Sequence, residues 1–400
     1  MLGMDGLNRM SGHWNSRPYD FYRRAKMTAL EYASDLIRFD STWYRSNRGV
    51  CDYCEDTLRR LGCETERIEY VDEDGVEKVN VVARKGTGPG GLAYFGHTDV
   101  VTTDDWSITE HGAFEPTVIG DRLYGRGSTD MKGSVACMFA ALESLEDQPL
   151  SHPVYISCSS DEEVNHRGAV EIAERSQIFR ELVAGQAKGI VGEPTSLHPV
   201  YSHKGGCRIT VTSQGRAAHS CTREGLNANL AMIPFLVEMK AIRDETETGT
   251  AWADGGFDPP TICLNIGIND HATATNITPP QSVCTMGFRP MPGTDAKSII
   301  ERIRSAAERQ GIEFVLHNHH VAFRRDPQSQ FTRLCVEITG REPRTVAYGS
   351  EASNFPEISD LIVLGPGNIT EAHKSDEWIS LDQLEQGTQT YREFIRRFCQ

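Results

Sequence analysis

Apolar residues along the chain change their spacing several times, and each change predicts a different secondary-structure element. From about Phe21 to Ile37, and again from Val50 to Leu61, they recur at the spacing of amphipathic helices. The period then shortens in KVNVVARKG and GLAYFGHTDVV, which predicts strands. Further strands are predicted in HPVYISCSSDEE, GIVGEPTS and DLIVLGPGN, and helical stretches in TDMKGSVACMFAALESLE and HRGAVEIAERSQ. This alternation is typical of an α/β fold with a mixed open sheet flanked by helices.

Between about Gly206 and His317 the order changes to strand, helix, two strands, helix and strand. The segments are CRITVTSQG, Leu226 to Ile242, TICLNIGI, QSVCTMGFRP, DAKSIIERIRSAAERQG and IEFVLHNHH. This β-α-β-β-α-β order is that of a small ferredoxin-like domain. It is predicted to be inserted, because DLIVLGPGN and a helix near LDQLEQGTQTYREFIRRF follow it and would rejoin the first sheet. We therefore predict a main domain in two segments, 1–205 and 318–400, with residues 1–20 flexible, and an inserted domain at 206–317.

Composition narrows the function class. The chain has 400 residues and 38% hydrophobic content, enough for a large core in two domains. A net charge of -15 argues against nucleic acid and anionic membranes as partners, because both attract clustered Lys and Arg. Neither a signal-peptide core nor an apolar run of about 20 residues is found, so a cytoplasmic protein is predicted. The 11 scattered cysteines are typical of reduced thiols, and small-molecule chemistry is favoured.

Polar residues that can bind a metal follow the predicted strands, where the carboxyl ends of an α/β sheet converge on one crevice. These candidates are His97, Asp130, Glu162, Glu163, Glu193 and His373. Gathering four carboxylates and two imidazoles without a cation would cost much free energy through repulsion and desolvation. Mixed nitrogen and oxygen ligands suit zinc, with cobalt or manganese as substitutes. Five ligands and one spare carboxylate suit two ions that share a bridge, for which Asp130 is the natural candidate.

Taken singly, each of these residues also has a purely structural interpretation. Glu162 and Glu163 resemble an acidic cap at a helix start, and Glu193 a turn residue before Pro194. His97 with Asp99 could be a hydrogen-bonded pair at a strand end. The run GRGSTDMKG lacks the Gly-Lys-Ser/Thr ending of a P-loop and the GxGxxG order of a dinucleotide site. Only the set as a whole favours a metal centre.

Six motifs, in this order, are similar to the M20 family of dinuclear zinc peptidases and deacylases: GHTDVV, LYGRGSTDMKG, SSDEEVNHRGA, GEPTSL, GRAAHS and GPGNITEAHKSDEW. The resemblance runs from about Phe21 to Phe398 and implies two sets of zinc ligands. These are His97, Asp130 and Glu193 for one ion, and Asp130, Glu163 and His373 for the other. It further implies that Asp99 orients His97 and that a cis peptide joins Asp130 to Met131. Glu162 remains as the base that takes a proton from a water held between the zinc ions.

The resemblance also assigns roles to the inserted domain, as a lid and dimerisation domain. His219 would hydrogen-bond the reacting oxygen, reaching across from a second subunit of a homodimer. Arg289 and Asn276 would bind the carboxylate of the substrate. The remaining histidines near this domain are interpreted as surface or hinge residues: His203, His317, His319 and His320.

The runs GEPTSLHPVYSHKGG and RPMPG resemble the deacetylase branch of the family, which implies hydrolysis of N-acetylornithine to ornithine and acetate. A desuccinylase acting on succinyl-diaminopimelate, an aminoacylase and a glutamate-releasing carboxypeptidase are alternatives within the same chemistry. A catalytically silent metal-binding protein is a further alternative. His166 and Arg167 depart from the smaller residues that the family often has after the second glutamate, which leaves the acyl specificity open.

Overall fold

The computed structural model describes residues 26–400. The flexible start predicted for residues 1–20 and the first residues of the helix predicted from Phe21 lie outside this range. In chain order the strands are β1 (Glu64–Val71), β2 (Glu77–Lys85), β3 (Leu92–His97), β4 (Thr117–Ile119), β5 (Arg122–Tyr124), β6 (Val154–Ser159), β7 (Lys188–Val191), β8 (Val200–His203), β9 (Gly206–Gln214), β10 (Asn265–Asn269), β11 (Gln281–Phe288), β12 (Glu313–His320), β13 (Phe323–Arg324), β14 (Arg344–Val346), β15 (Leu361–Val363) and β16 (Trp378–Ser380).

Seven of the nine helices in the described residues correspond to predicted helices, with shifts at their ends, whereas Gln177–Ala184 and Gln330–Thr339 were not predicted. The helices are α1 (Ala29–Ile37), α2 (Arg48–Arg60), α3 (Lys132–Ser144), α4 (Arg167–Arg175), α5 (Gln177–Ala184), α6 (Asn229–Thr248), α7 (Ala296–Arg309), α8 (Gln330–Thr339) and α9 (Leu381–Cys399). Helix α1 begins at a capping box, in which Thr28 and Glu31 satisfy each other's backbone amides. Helix α6 is longer than predicted and starts after Leu226. No helix within residues 26–400 has the length and apolar character needed to cross a bilayer.

The predicted mixed open sheet is confirmed. Within the described residues, nine strands form it in the order β1-β2-β6-β3-β7-β15-β8-β13, with β14 paired to β8. Strand β3 lies parallel to both β6 and β7 and is buried along its whole length. Leu92 and Tyr94 belong to the core beneath α1, α3 and α9, whereas Ala93 and Phe95 belong to the core on the opposite face. Helices on both faces therefore explain why this strand is a continuous apolar run.

The inserted segment forms the predicted ferredoxin-like unit, hereafter the lid. Its antiparallel sheet has the strand order β10-β11-β9-β12, and β12 continues to His320, past the predicted boundary at residue 317. Helices α6 and α7 cover one face and contribute to a separate core that includes Phe235, Ile299 and Ile209. The other face lines a cleft toward the large sheet. The lid is joined to that sheet through β8 and β13, which pair antiparallel with each other.

All 11 cysteines are free, and Cys51 and Cys54 lie on α2 in the core. Several elements were not predicted. Strand β1 pairs with β2 at the edge of the sheet, and β4, β5 and β16 form a small sheet of three strands within the described part of the chain. Strand β8 carries His203, which is 1% exposed, hydrogen-bonds Ser350 and stacks on Phe323. The surface interpretation of His203 is therefore wrong, because its ring is enclosed by the packed connections between the large sheet and the lid, where β8 pairs with β13.

Candidate metal centre

His97 ends strand β3, and its imidazole is fully buried. The Nδ1–H group donates to the backbone carbonyl of Asp99 at 3.0 Å. A carbonyl can only accept, so Nδ1 carries the proton and Nε2 is free to bind a metal. Nε2 lies 3.1 Å from Oδ1 of Asp130.

Asp99 contacts the His97 ring through its backbone carbonyl rather than through its side chain. Its Oδ1 atom is 3.7 Å from Nδ1 of His97, beyond hydrogen-bond distance, and the backbone carbonyl takes that place. The carboxylate instead accepts the backbone N–H groups of Glu162 at 3.3 Å and Glu163 at 3.1 Å. Asp99 therefore holds the segment that follows β6 against the tip of β3.

Asp130 lies between the imidazoles of His97 and His373. Its Oδ1 atom faces His97, and its Oδ2 atom lies 3.4 Å from Nε2 of His373. The predicted cis peptide between Asp130 and Met131 is present. The two oxygens of this carboxylate therefore face the two imidazoles that the sequence assigned to different ions.

Glu377, which the sequence analysis did not single out, holds the backbone around Asp130. It is 0% exposed, and Oε1 accepts the N–H groups of Thr129 at 2.9 Å and Asp130 at 3.0 Å. Its Oε2 accepts from Gly127 N at 3.0 Å and from Nη1 of Arg126 at 2.9 Å. Each carboxylate oxygen thus has two donors. Glu377 is the second glutamate of the motif GPGNITEAHKSDEW. The sequence pattern alone did not distinguish this glutamate from one exposed to solvent.

Glu163, Glu193 and His373 complete the group of predicted ligands. Oε2 of Glu163 lies 3.0 Å from Nε2 of His373, whose side chain is half exposed at the mouth of the cleft. Oε1 of Glu193 lies 3.8 Å from Nε2 of His97. This oxygen is buried and has no hydrogen-bond partner among the described residues. A buried carboxylate oxygen that has no hydrogen-bond partner and lies beside an imidazole fits the role of a metal ligand.

Glu162 stands beside this group without a place in either predicted ligand set. Its Oε2 atom is 4.0 Å from Nε2 of His97, and its Oε1 atom is 3.3 Å from Nε2 of His166. Nδ1 of His166 lies 3.2 Å from the side-chain oxygen of Asn354, and its ring stacks on His320 of the lid at 4.1 Å. His166, which was noted as a departure from the family pattern, therefore connects the candidate base with the lid.

The charges of these groups favour bound cations. Burial raises the pKa of the Glu162 and Glu193 carboxyls well above their usual range, and the negative charge of Asp130 raises both further. Burial and the same charge also raise the pKa of Glu163. Ligand atoms within 4.8 Å of one another occur in two groups that share His97: with Asp130 and Glu163, and with Glu162 and Glu193. The residues present thus fit divalent metal ions, which would offset the repulsion.

Two further buried carboxylates, Asp161 and Glu351, lie close to the end of strand β6. Asp161 is paired with Lys78 at 2.7 Å, and the hydroxyl of Tyr70 donates to it at 2.6 Å. Glu351 is 1% exposed and accepts a hydrogen bond from Ser159, and burial raises its pKa to about 7. Neither carboxylate was assigned a task from the sequence.

The cleft between the centre and the lid has a volume of about 510 Å³. Arg289 lines it, as do His166, His203 and His320. In the described part of the chain, His219 and Asn276 are exposed on the lid and do not line the cleft. They lie side by side, because Ser220 N donates to the carbonyl of Asn276 and His219 bridges to Ile277. Within the described residues, His219 and Asn276 are therefore not brought to the predicted metal ligands.

Comparison with known proteins agrees with this arrangement. The profile of peptidase family M20/M25/M40 matches residues 93–397. Acetylornithine deacetylase of Myxococcus xanthus is 31% identical over 92% of this chain and 96% of its own length. Acetylornithine deacetylase of Vibrio vulnificus is 30% identical over 95% of this chain and 98% of its own.

Solved structures share the fold at lower identity. An M20 family metallo-carboxypeptidase from Sulfolobus solfataricus superposes with a TM-score of 0.74 at 17% identity, covering 92% of this chain and 98% of that one. The YXEP protein of Bacillus subtilis, described as a dinuclear metal binding peptidase of the M20 family, gives a TM-score of 0.61 at 14% identity, covering 92% and 96%. This chain therefore belongs to peptidase family M20/M25/M40, and its chemistry is metal-dependent hydrolysis of an amide bond.

Proposed function

We propose that this chain removes the acyl group from an N-acyl amino acid, and that N-acetylornithine is the first substrate to test. The observation that carries the proposal is Glu162, a carboxylate with a 10% exposed side chain that faces the ligand group but belongs to neither predicted ligand set. The names of the relatives support a deacetylase. A desuccinylase, an aminoacylase and a glutamate-releasing carboxypeptidase use the same centre and differ only in what the cleft accepts.

The residues divide the work as follows. His97, Asp130 and Glu193 would hold one ion, and Asp130, Glu163 and His373 the other, in keeping with the distances among these groups. Zinc suits this donor set, and cobalt or manganese would substitute. When bound, two such ions supply Lewis acidity that polarises the amide carbonyl and acidifies water. Glu162 takes the proton from the attacking water and returns it to the departing amine. Asp99 and Glu377 keep the ligand segments in place through backbone amides.

We further propose that the protein acts as a homodimer through the lid. An apolar strip on α6, formed by Leu230, Ile233 and Val237, is more than half exposed, and Ile268 on the edge strand β10 is 63% exposed. Large exposed apolar surface of this kind favours a protein interface. His219 and Asn276 are exposed on the same domain. In a dimer they would complete the partner's cleft, with His219 donating to the reacting oxygen and Asn276 helping Arg289 to bind the substrate carboxylate.

Elemental analysis and a hydrolysis assay test the proposal together. We expect about two metal ions per chain, and release of the free amino acid from N-acetylornithine or another N-acyl amino acid that a chelator abolishes and zinc restores. N-succinyl and N-formyl amino acids in the same panel separate the family alternatives. A metal-loaded protein that hydrolyses none of these substrates would contradict the proposal and favour a silent binding protein.

A further inference from the structure

On the face of the lid that lines the cleft, three polar residues and one glycine form a row across all four strands of the sheet. Asn265 on β10 pairs with Gly287 on β11, Gly287 with Arg208 on β9, and Arg208 with Asn318 on β12. All four residues line the cleft. The amide of Asn318 donates to the carbonyl of Val164 at 3.2 Å, next to the ligand Glu163. This hydrogen bond holds the row close to the metal centre.

A second row runs beside the first, from Arg289 across Gly206 to His320. A side chain at Gly206 would begin 3.7 Å from Nη1 of Arg289 and 3.8 Å from the ring of His320. A side chain at Gly287 would meet only the carbonyl of Cys207, at 3.7 Å. The two glycines therefore leave a stretch of sheet surface between the polar groups without side chains, hereafter the floor of the cleft, where a ligand can approach the backbone.

The charges around this floor are unbalanced. Within residues 26–400, the acids that line the cleft are the four of the metal centre: Asp130, Glu162, Glu163 and Glu193. Two divalent ions would balance those four charges. Lys204, Arg208 and Arg289 also line the cleft; Lys204 donates to the carbonyls of Pro259 and Thr261, and neither guanidinium has an acidic partner in the described part of the chain. Burial and the charge of Arg289 lower the pKa of His203 to about 4, as expected beside uncompensated positive charge.

A substrate with a single carboxylate pairs with one of these guanidinium groups and leaves the other without an anion. The side-chain ammonium of ornithine would add a further positive charge to the same part of the cleft, whose lining in the described chain has no acid beyond those of the metal centre. A guanidinium forms its strongest contact with a carboxylate, in a paired geometry. We infer that Arg208, with Asn265 beside it, binds a second carboxylate, so that the enzyme selects N-acyl amino acids with two carboxylates. This inference rests on the proposed N-acyl amino acid hydrolysis.

Two matched pairs of substrates test the inference on the zinc-loaded full chain. N-acetyl-glutamate and N-acetyl-glutamine differ only in the charge on the amino acid side chain. N-succinyl-alanine and N-butyryl-alanine compare a carboxylate with a methyl group at the end of an acyl chain of the same length. We expect kcat/KM to favour the charged member of at least one pair by at least about tenfold, the low end for a charge-assisted hydrogen bond. The pair that responds shows on which side of the amide the carboxylate lies.

Variants at Arg208 assign the preference to this residue. Arg208→Met should reduce the charged-to-neutral ratio to below about twofold, and Arg208→Lys should restore part of it. Arg333→Met, an exposed arginine on α8 outside the cleft, should leave the ratio as in the wild type. Calorimetric binding of N-acetyl-glutamate to Glu162→Gln protein should weaken in parallel when Arg208→Met is added.

The outcomes are distinguishable. A preference for N-acetylornithine, equal rates within both pairs, or a ratio unchanged by Arg208→Met would overturn the inference and leave the proposed deacylation standing. Failure of the metal-loaded enzyme to hydrolyse any N-acyl amino acid would overturn the proposed function, and this inference with it.

Discussion

Replacing Glu377 by glutamine tests how the bridging ligand is held. The substitution keeps the shape of the side chain but turns one oxygen into an NH2 group. In the wild type Oε1 accepts from Thr129 and Asp130, and Oε2 accepts from Gly127 and Arg126. Whichever way the new amide is oriented, two donors therefore face an NH2 group that cannot accept.

The cost follows from burial. Each buried donor left unsatisfied costs about 1–3 kcal/mol. Arg126 is 1% exposed, and removing the charged partner of a buried ion costs about 3–5 kcal/mol. These contributions overlap, because Arg126 is one of the donors concerned. We expect the free energy of unfolding to fall by about 3–5 kcal/mol. We expect the metal affinity to fall by about tenfold to a hundredfold, because either orientation of the amide leaves two donors of the segment 126–130 without an acceptor.

Urea unfolding monitored by circular dichroism measures the first quantity, and zinc competition with a chelator measures the second. Glu385→Gln, on the exposed side of α9, is the matched control and should alter neither. If Glu377→Gln unfolds within about 1 kcal/mol of the wild type and binds zinc equally well, Glu377 does not hold the Asp130 segment in the way described.

Glu162→Gln is expected to retain two metal ions per chain and to lose at least about a hundredfold in kcat, by elemental analysis and product release; loss of metal would contradict the division of labour between Glu162 and Glu163. His166→Ala should lower kcat more than it raises KM, because the Glu162 side chain loses the imidazole that lies 3.3 Å from it and orients it. Steady-state kinetics that show a change in KM alone would refute this role. Val237→Glu places a charge in the exposed strip of α6 and should shift a dimer to monomers in light scattering; a monomeric wild type would refute the interface.

The proximity of the candidate ligands was predictable from sequence, because each of them follows a buried strand or lies in a distinctive short motif. His97 at the end of β3 and Glu163 just after β6 converge because those strands are parallel neighbours. The groups that hold the ligands were not predictable in the same way. Glu377 accepts a hydrogen bond from Asp130 across 247 positions of chain, and no local pattern marks such a pair.

Elsewhere the local pattern was ambiguous. Strand β1, with the sequence ETERIEYV, lies at the sheet edge and exposes most of one face, so its apolar signal is weak. His203 belongs to the polar run YSHKGG, yet the pairing of β8 with β13 buries it. The positions of His219 and Asn276 relative to the metal ligands depend on how whole domains pack, which spacing within a motif does not encode.

The chain enters the lid from strand β8 and leaves it into strand β13, and these two strands are paired neighbours. An insertion at two adjoining strand ends leaves the hydrogen bonding of the large sheet undisturbed, whatever is inserted. Recognition and hydrolysis can thus diverge at different rates over evolutionary time, because exchanging residues 206–320 as one unit would present a new surface to the same candidate metal centre. For an engineer, this junction is the place to graft another specificity.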